Sequence, residues 1–420
     1  MDRTIEAALQ PGRFVPWSAC SSFVSGLSLV EEEIGKLIAS EPSRAAGLYE
    51  TFIAGCNKKA DEIDDSNGEL GAFAGGLFCG WIKARQADGN DPDETARLLL
   101  AWMDDDPYGF CHGLEREAGS VLDRAGLEAF EREVRARCNA PSGKSESDRD
   151  YARRRWGQVL KTIYRERREI AKYIELIAKT GLTQADCEAI AAMFQAERKP
   201  KDALAWVERG LEVEKRGTFE STAGHRLAAT RRALLAKLGR SQDALASAWA
   251  AFQECPATFT YEELLRYVPK IQRAAWHEKA MEAAGEADLD SLIELWLSTK
   301  EIGRLIKRLD GASDAQLERL SHYTTGPAAR RLARTHPAAA AKVFRAMGMR
   351  IINGSKSKYY DEALSNFKEA RRCYEKAGLG EQWLALADDV RRKHGRKYGF
   401  MPEFERLLAG RRPRPSYESE

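Results

Sequence analysis

Cys111 and His112 stand side by side, and with the thiols of Cys79 and Cys138 they are the chain's closest approach to a zinc-ligand set. A structural zinc takes four converging ligands, usually from paired short spacings such as C-x2–4-C and H-x3–5-H. No such pairing occurs here, and the side chains of adjacent residues diverge. The pair is therefore read as a buried thiol beside a surface histidine. Asp64-Asp65-Ser66-Asn67-Gly68 has the oxygen-rich, glycine-containing composition of a calcium loop. With Gly68 at the sixth position, that loop would start at Ile63 and end at Ala74, where an oxygen ligand and a bidentate glutamate are needed. The segment instead reads as a turn with Ser or Asx capping. Asp104-Asp105-Asp106-Pro107 reads likewise as a helix-ending turn.

Gly71, Gly75, Gly76 and Gly80 raise the question of phosphate binding, but no G-x-x-x-x-G-K-[ST] or G-x-G-x-x-G follows a strand. Lying among Phe73 and Leu77 at helical spacing, they predict close helix packing. There is no G-x-S-x-G, no H-E-x-x-H and no cysteine in a nucleophile setting. The six histidines fall mostly near expected helix ends or in loops. The expectation is a non-enzyme with no metal and no cofactor.

The remaining chemistry is cationic. Arg391, Arg392, Lys393, Arg396 and Lys397 mix with His394, Tyr398 and Phe400, and Arg411, Arg412 and Arg414 follow. Cations neutralise phosphates and aromatic faces stack on bases, so these five residues are the candidate nucleic-acid contact. The competing reading is a helix whose basic last turn complements its dipole, followed by a solvated tail.

The elements that must carry these residues are helices. Ala, Leu, Glu, Arg and Lys dominate a chain of 420 residues, of which 43% are hydrophobic and 31% charged. Charge is uneven along it: residues 1–140 carry 14 basic and 25 acidic side chains, and the rest carry 52 and 39. An acidic front and a basic back favour mutual contact, self-association or a polyanionic partner, or are solvated faces that happen to differ in sign. The eight cysteines are scattered singly, as in a reduced, cytoplasmic protein. The N-terminal residues do not read as a secretory signal, and no apolar run reaches membrane-spanning length.

Apolar stripes at Val30–Ile38, Leu48–Ile53, Leu70–Ile82, Leu98–Met103 and Leu114–Phe130 predict an acidic N-terminal helical domain over residues 1–140. Residues 139–150 read as a linker, and a long helix is expected over 150–179. Thr183 with Asp186, Thr260 with Glu263 and Ser313 with Gln316 read as helix starts. Gly181, Gly239, Gly285 and Gly311 mark ends. Asp202-Ala203-Leu204, Asp243-Ala244-Leu245 and Asp361-Glu362-Ala363-Leu364 each look like the start of the second helix of a hairpin, and Ala203 and Ala244 are 41 residues apart. The expected fold is all-α: an α-solenoid of stacked, tetratricopeptide-like hairpins over 141–420, its end capped by the helix around 383–394.

Asp64-Asp65-Ser66-x-Gly68-x-Leu70, Asp106-x-Tyr108-Gly109, Tyr359-Tyr360-Asp361-x-Ala363 and His394-x-x-Lys397-Tyr398 together carry a resemblance. Most of the chain resembles the helical region that follows the SWIM zinc finger in bacterial proteins of unknown role, and its stand-alone relatives. The finger's C-x-C-x(n)-C-x-H array does not occur in this sequence. The resemblance implies a helical-repeat scaffold and supplies no catalytic residues. The expected function is a cytoplasmic scaffold or adaptor that binds a protein partner in its groove. The alternative is a nucleic-acid-associated protein using the basic C-terminal half.

Overall fold

The computed structural model describes residues 1–140, 145–214 and 222–410. Residues 141–144 of the expected linker, and Arg411, Arg412 and Arg414, lie outside them. The described residues form 23 α-helices, with no strand and one isolated bridge between Val15 and Ile63. The fold is all-α.

Contacts group the chain into two compact units, Met1–Leu234 and Leu235–Glu420. The first contains α1 (Asp2–Leu9), α2 (Trp17–Leu37), α3 (Pro42–Lys59), α4 (Glu69–Ala87), α5 (Pro92–Asp104) and α6 (Leu114–Val121). It continues through α7 (Arg124–Asn139), α8 (Glu146–Glu166), α9 (Ile170–Thr180), α10 (Gln184–Ala196) and α11 (Pro200–Glu214), and the division falls within α12 (Thr222–Lys237). The second contains α13 (Ser241–Glu254), α14 (Thr258–Tyr267), α15 (Arg273–Ala283), α16 (Leu289–Thr299), α17 (Ile302–Gly311) and α18 (Asp314–Arg319). It ends with α19 (His322–Thr335), α20 (Pro337–Asn353), α21 (Tyr360–Lys376), α22 (Gly380–His394) and α23 (Met401–Leu408).

Successive helices pack on one another, as a helical repeat requires. In the first unit α3 packs on α4, α7 on α8 and α10 on α11; in the second α13 packs on α14, α19 on α20 and α20 on α21. Each unit buries its own apolar cluster, with Phe52, Trp81, Phe130 and Ile163 in the first and Phe252, Leu305, Phe367 and Phe400 in the second. The five stripes read in residues 1–140 coincide with α2 to α7. All three Asp-Ala-Leu-type signatures fall in the first turns of α11, α13 and α21.

The grouping differs from a boundary at 140/141. There α8 packs on α6 and α7, and Trp156, Leu160 and Ile163 join the same core as Phe130 and Val134. The second half of the linker stretch is the start of α8. Ser145 Oγ accepts from Asp148 N, and the Asp148 carboxylate accepts from Ser145 N. Ser and Asp thus serve as caps here, although the same composition reads as a loop.

The helix expected over 150–179 is two helices. α8 ends at Glu166, Arg168 takes a left-handed backbone at φ 56°, and α9 turns back to pack on α8. The turn is closed by Glu169 N donating to Tyr164 O at 2.8 Å, the six-residue bond of a Schellman motif. The same bond recurs as Asn90 N to Arg85 O, Lys199 N to Phe194 O, Arg240 N to Leu235 O, Glu301 N to Trp296 O, Lys356 N to Ile351 O and Leu379 N to Tyr374 O. The left-handed residue is glycine in three of the seven turns (Gly89, Gly239 and Gly378) and Arg168, Arg198, Lys300 or Ser355 in the others. One backbone joint therefore recurs without a fixed residue. Helix starts are as expected at Thr183 and Ser313, each a capping box. Thr260 does not start a helix: it is the third residue of α14, and its Oγ1 accepts from Ala257 N.

The first helix is docked rather than frayed. Leu9 fills the notch left by the absent side chain of Gly55. Lys59, only 2% exposed, donates from Nζ to Gln10 O, Arg13 O and the Glu62 carboxylate.

Candidate functional site

The C-terminal cations are mostly engaged by nearby carboxylates. Arg391 forks onto both oxygens of Glu405, at 2.8 Å each, and also meets Asp388. Arg392 and Lys393 share Asp389, and Lys397 donates to Ser355 Oγ. Among the described residues the side chain of Arg396 alone of the five has no polar partner. The His394 ring is buried, and burial lowers its proton affinity. The five residues thus lie together at the end of α22, but three of their charges are balanced from α22 and α23.

The metal-like sequences resolve into backbone capping. Asp65 accepts from Leu70 N and Gly71 N at the start of α4, and Asp106 accepts from Phe110 N and Cys111 N. Cys79 faces Glu117, and Cys138 faces the Arg153 carbonyl. Burial, and after it the Asp106 carboxylate, push the Cys111 thiol up to about 12, so it is held as a protonated thiol at neutral pH. Of the four glycines of α4, Gly80 makes the close packing expected, directly beneath the Tyr49 ring. Gly71 and Gly75 meet Phe110 at ordinary distance, and Gly76 faces open space.

One cluster of ionisable groups was not foreseen. His277 bonds Tyr261 Oη through Nδ1 at 2.7 Å and Glu301 through Nε2 at 3.0 Å. Glu278 completes the one group of three potential metal ligands among the described residues. Arg304 lies against both carboxylates, 2.7 Å from Glu278 and 3.3 Å from Glu301. The hydrogen bond from His277 holds the Glu301 carboxyl below its usual range. A guanidinium already supplies the cationic charge, so the cluster is a closed ion-pair network.

The open site lies along α19. Thr324, Thr325, Ala328, Ala329 and Leu332 turn inward, where α19 packs on α16 and α20. The opposite face presents Tyr323, Pro327, Arg330 and Arg331 at helical spacing, with Tyr323 79% exposed. Pro327 is inside the helix and has no N–H, so the bond that would reach the Tyr323 carbonyl is missing. An interior proline costs a helix about 3 kcal/mol.

This face borders two concavities that share Tyr323, Pro327 and Arg330. The larger, of ≈ 650 Å³, has Leu317, Leu320, Met347 and Ile351 among its apolar lining and His322, Arg330, Arg350, Lys356 and Tyr359 among its polar lining. The second, of ≈ 570 Å³, lies toward Glu294 and Leu297 of α16. Gly326 also lines the larger concavity, where a Cβ would meet Arg330 Nη1 and Met347 Cε at ordinary contact distances of 3.5 and 3.7 Å. Among the described residues Arg330, Arg331 and Lys356 have no carboxylate partner, and Arg350 donates to the Leu320 carbonyl at 2.7 Å. The larger concavity therefore holds three cations against the single carboxylate of Glu362. The sequence offered two signals for this groove, a proline inside a helical stretch and Tyr359-Tyr360. The assembly of α18 to α21 around it leaves no local pattern.

The model of a family of unknown function, DUF6880, matches residues 4–403. The chain belongs to the DUF6880 family. None of the curated proteins compared matches it. Among solved structures, it is similar to a chain in the structure of Naa15/Naa10 bound to HypK-THB, with 13% identity and a TM-score of 0.34. That alignment covers 97% of this chain and 65% of the other. Among the described residues of this DUF6880 member, no helix is long and apolar enough to cross a membrane.

Proposed function

We propose that this DUF6880 member is a non-catalytic, cytoplasmic helical-repeat scaffold that binds a protein partner as a peptide segment in the groove along α19. One observation carries the reading. An exposed aromatic and unbalanced cations line an open groove on a helix that keeps an interior proline at an energetic cost. In the cluster around His277, by contrast, both ring nitrogens and the Glu301 carboxylate are engaged by neighbouring side chains. Helical repeats commonly use such surfaces for recognition rather than chemistry. The finer likeness, to the helical region that accompanies SWIM zinc fingers, accords with a scaffold role and belongs to the same proposal. The nucleic-acid alternative through Arg391, Arg392, Lys393, Arg396 and Lys397 is less favoured, because Arg391, Arg392 and Lys393 are balanced by Asp388, Asp389 and Glu405.

Selection from a displayed random-peptide library on the whole protein tests this. Peptides enriched on the native chain should lose binding to Tyr323→Ala. Enrichment of peptides that bind both forms equally, or no enrichment, refutes the groove as the binding site.

A further inference from the structure

Resting on that reading, we infer that the α19 groove takes an acidic peptide segment carrying one apolar anchor residue. The lining sets this chemistry. Met347 and Ile351, with the edges of the largely buried Leu317 and Leu320, contribute the apolar surface on which a single Leu-sized side chain would pack. Arg330 and Lys356 have no carboxylate partner among the described residues. Arg350 spends one Nη1 bond on a backbone carbonyl, and guanidinium has five donors. Carboxylates flanking the anchor would complete these cations, with Arg able to grip one bidentately.

An extended chain fits better than a compact ligand. The two concavities meet at Tyr323, Pro327 and Arg330, so the site continues past the α19 face rather than closing behind it. Pro327 brings no N–H to the Tyr323 carbonyl, which would leave that oxygen to accept from a peptide N–H. A nucleic acid strand could share the charge preference. The apolar lining, though, matches a side chain better than a phosphodiester backbone, and the aromatic residues here offer no run of stacking platforms.

The test is fluorescence anisotropy on the full chain with four labelled probes. They are an Asp/Glu decapeptide with one central Leu, the same peptide with Ser for Leu, its Lys counterpart with Leu, and a thymidine 20-mer. The acidic Leu peptide should bind tightest, with several-fold loss for Ser and weakening by salt. Arg330→Glu combined with Lys356→Glu should weaken it at least about tenfold and turn preference toward the Lys peptide. That reversal also shows the variant is folded. Equal binding of the acidic and Lys peptides to the native chain overturns the inference. If a neutral or basic peptide binds instead and is lost in Tyr323→Ala, the inference fails and the peptide-groove function stands. Preference for the 20-mer, or binding of no probe together with an empty library selection, overturns both.

Discussion

Arg198→Gly and Lys300→Gly should stabilise the protein, although each removes a charged surface side chain and adds no contact. Both residues occupy the left-handed slot of the recurrent turn, at φ 58° and 66°. That conformation costs a residue with a Cβ roughly 1–2 kcal/mol. Glycine escapes the cost but loses roughly 0.5–1 kcal/mol more backbone entropy on folding. The difference leaves a gain of about 0.5–1 kcal/mol per site, or roughly 1–4 °C in Tm for a unit of this size. The same slot supplies the opposite control. Gly89 and Gly378 hold φ 70° and 72°, and a Cβ at either would meet nothing within 4 Å. Gly89→Ala and Gly378→Ala should therefore each cost about 1 kcal/mol through backbone conformation alone. Each unit has its own core, so the measurement is urea unfolding with amide exchange read separately around α10–α11 and α16–α17. Destabilisation by both glycine variants, or wild-type stability of both alanine variants, would refute the account of these joints.

Within α4, one chemical change should have two signs. Gly76→Ala faces open solvent and should stabilise by about 0.5–1 kcal/mol, whereas Gly80→Ala would place a methyl 2.5 Å from Tyr49 Cε1 and should cost about 1–3 kcal/mol; equal melting temperatures would dismiss the packing argument. Acid should weaken the first unit through Asp186. Burial alone would raise this carboxyl, but hydrogen bonds from Lys161 and Thr183 outweigh it and hold it below the ordinary value of 3.8. Its contribution is thus complete above about pH 4 and is lost as pH falls through the lower folded value. Asp186→Asn should cost about 1.5–3 kcal/mol at pH 7 and flatten that acid limb, which a pH series of denaturation curves reads directly.

Helices and their caps were legible in the sequence because both are local. The stripe Leu70–Ile82 is one face of α4, and Thr183-x-x-Asp186 satisfies its own orphan amides. The break at Arg168 was not legible, since a Schellman turn is a backbone event and arginine there carries no glycine's mark. Thr260 misled for a related reason: its hydroxyl serves a helix start from inside the helix rather than before it. The C-terminal cations were legible as a cluster, but their neutralisation was not, because Glu405 reaches Arg391 from the following helix. The α19 groove is still less local. Tyr323, Arg350 and Lys356 come from separate elements, and what distinguishes them is the carboxylates they lack.

The burial of Lys59 sets how the first unit can come apart. Its ammonium holds Gln10 and Arg13 by their carbonyls, while Val15 exchanges backbone bonds with Glu62 and Asp64. Peeling away the first fifteen residues would strip an interior charge of two acceptors and empty the Gly55 notch of Leu9 at the same moment. Such a segment does not fray residue by residue. It should be released as a whole, disturbing the Phe23–Lys59 contact and the end of α3 beneath it. The opening stretch of the chain therefore acts as a clasp on the first unit, and cutting it would open a core rather than trim a tail.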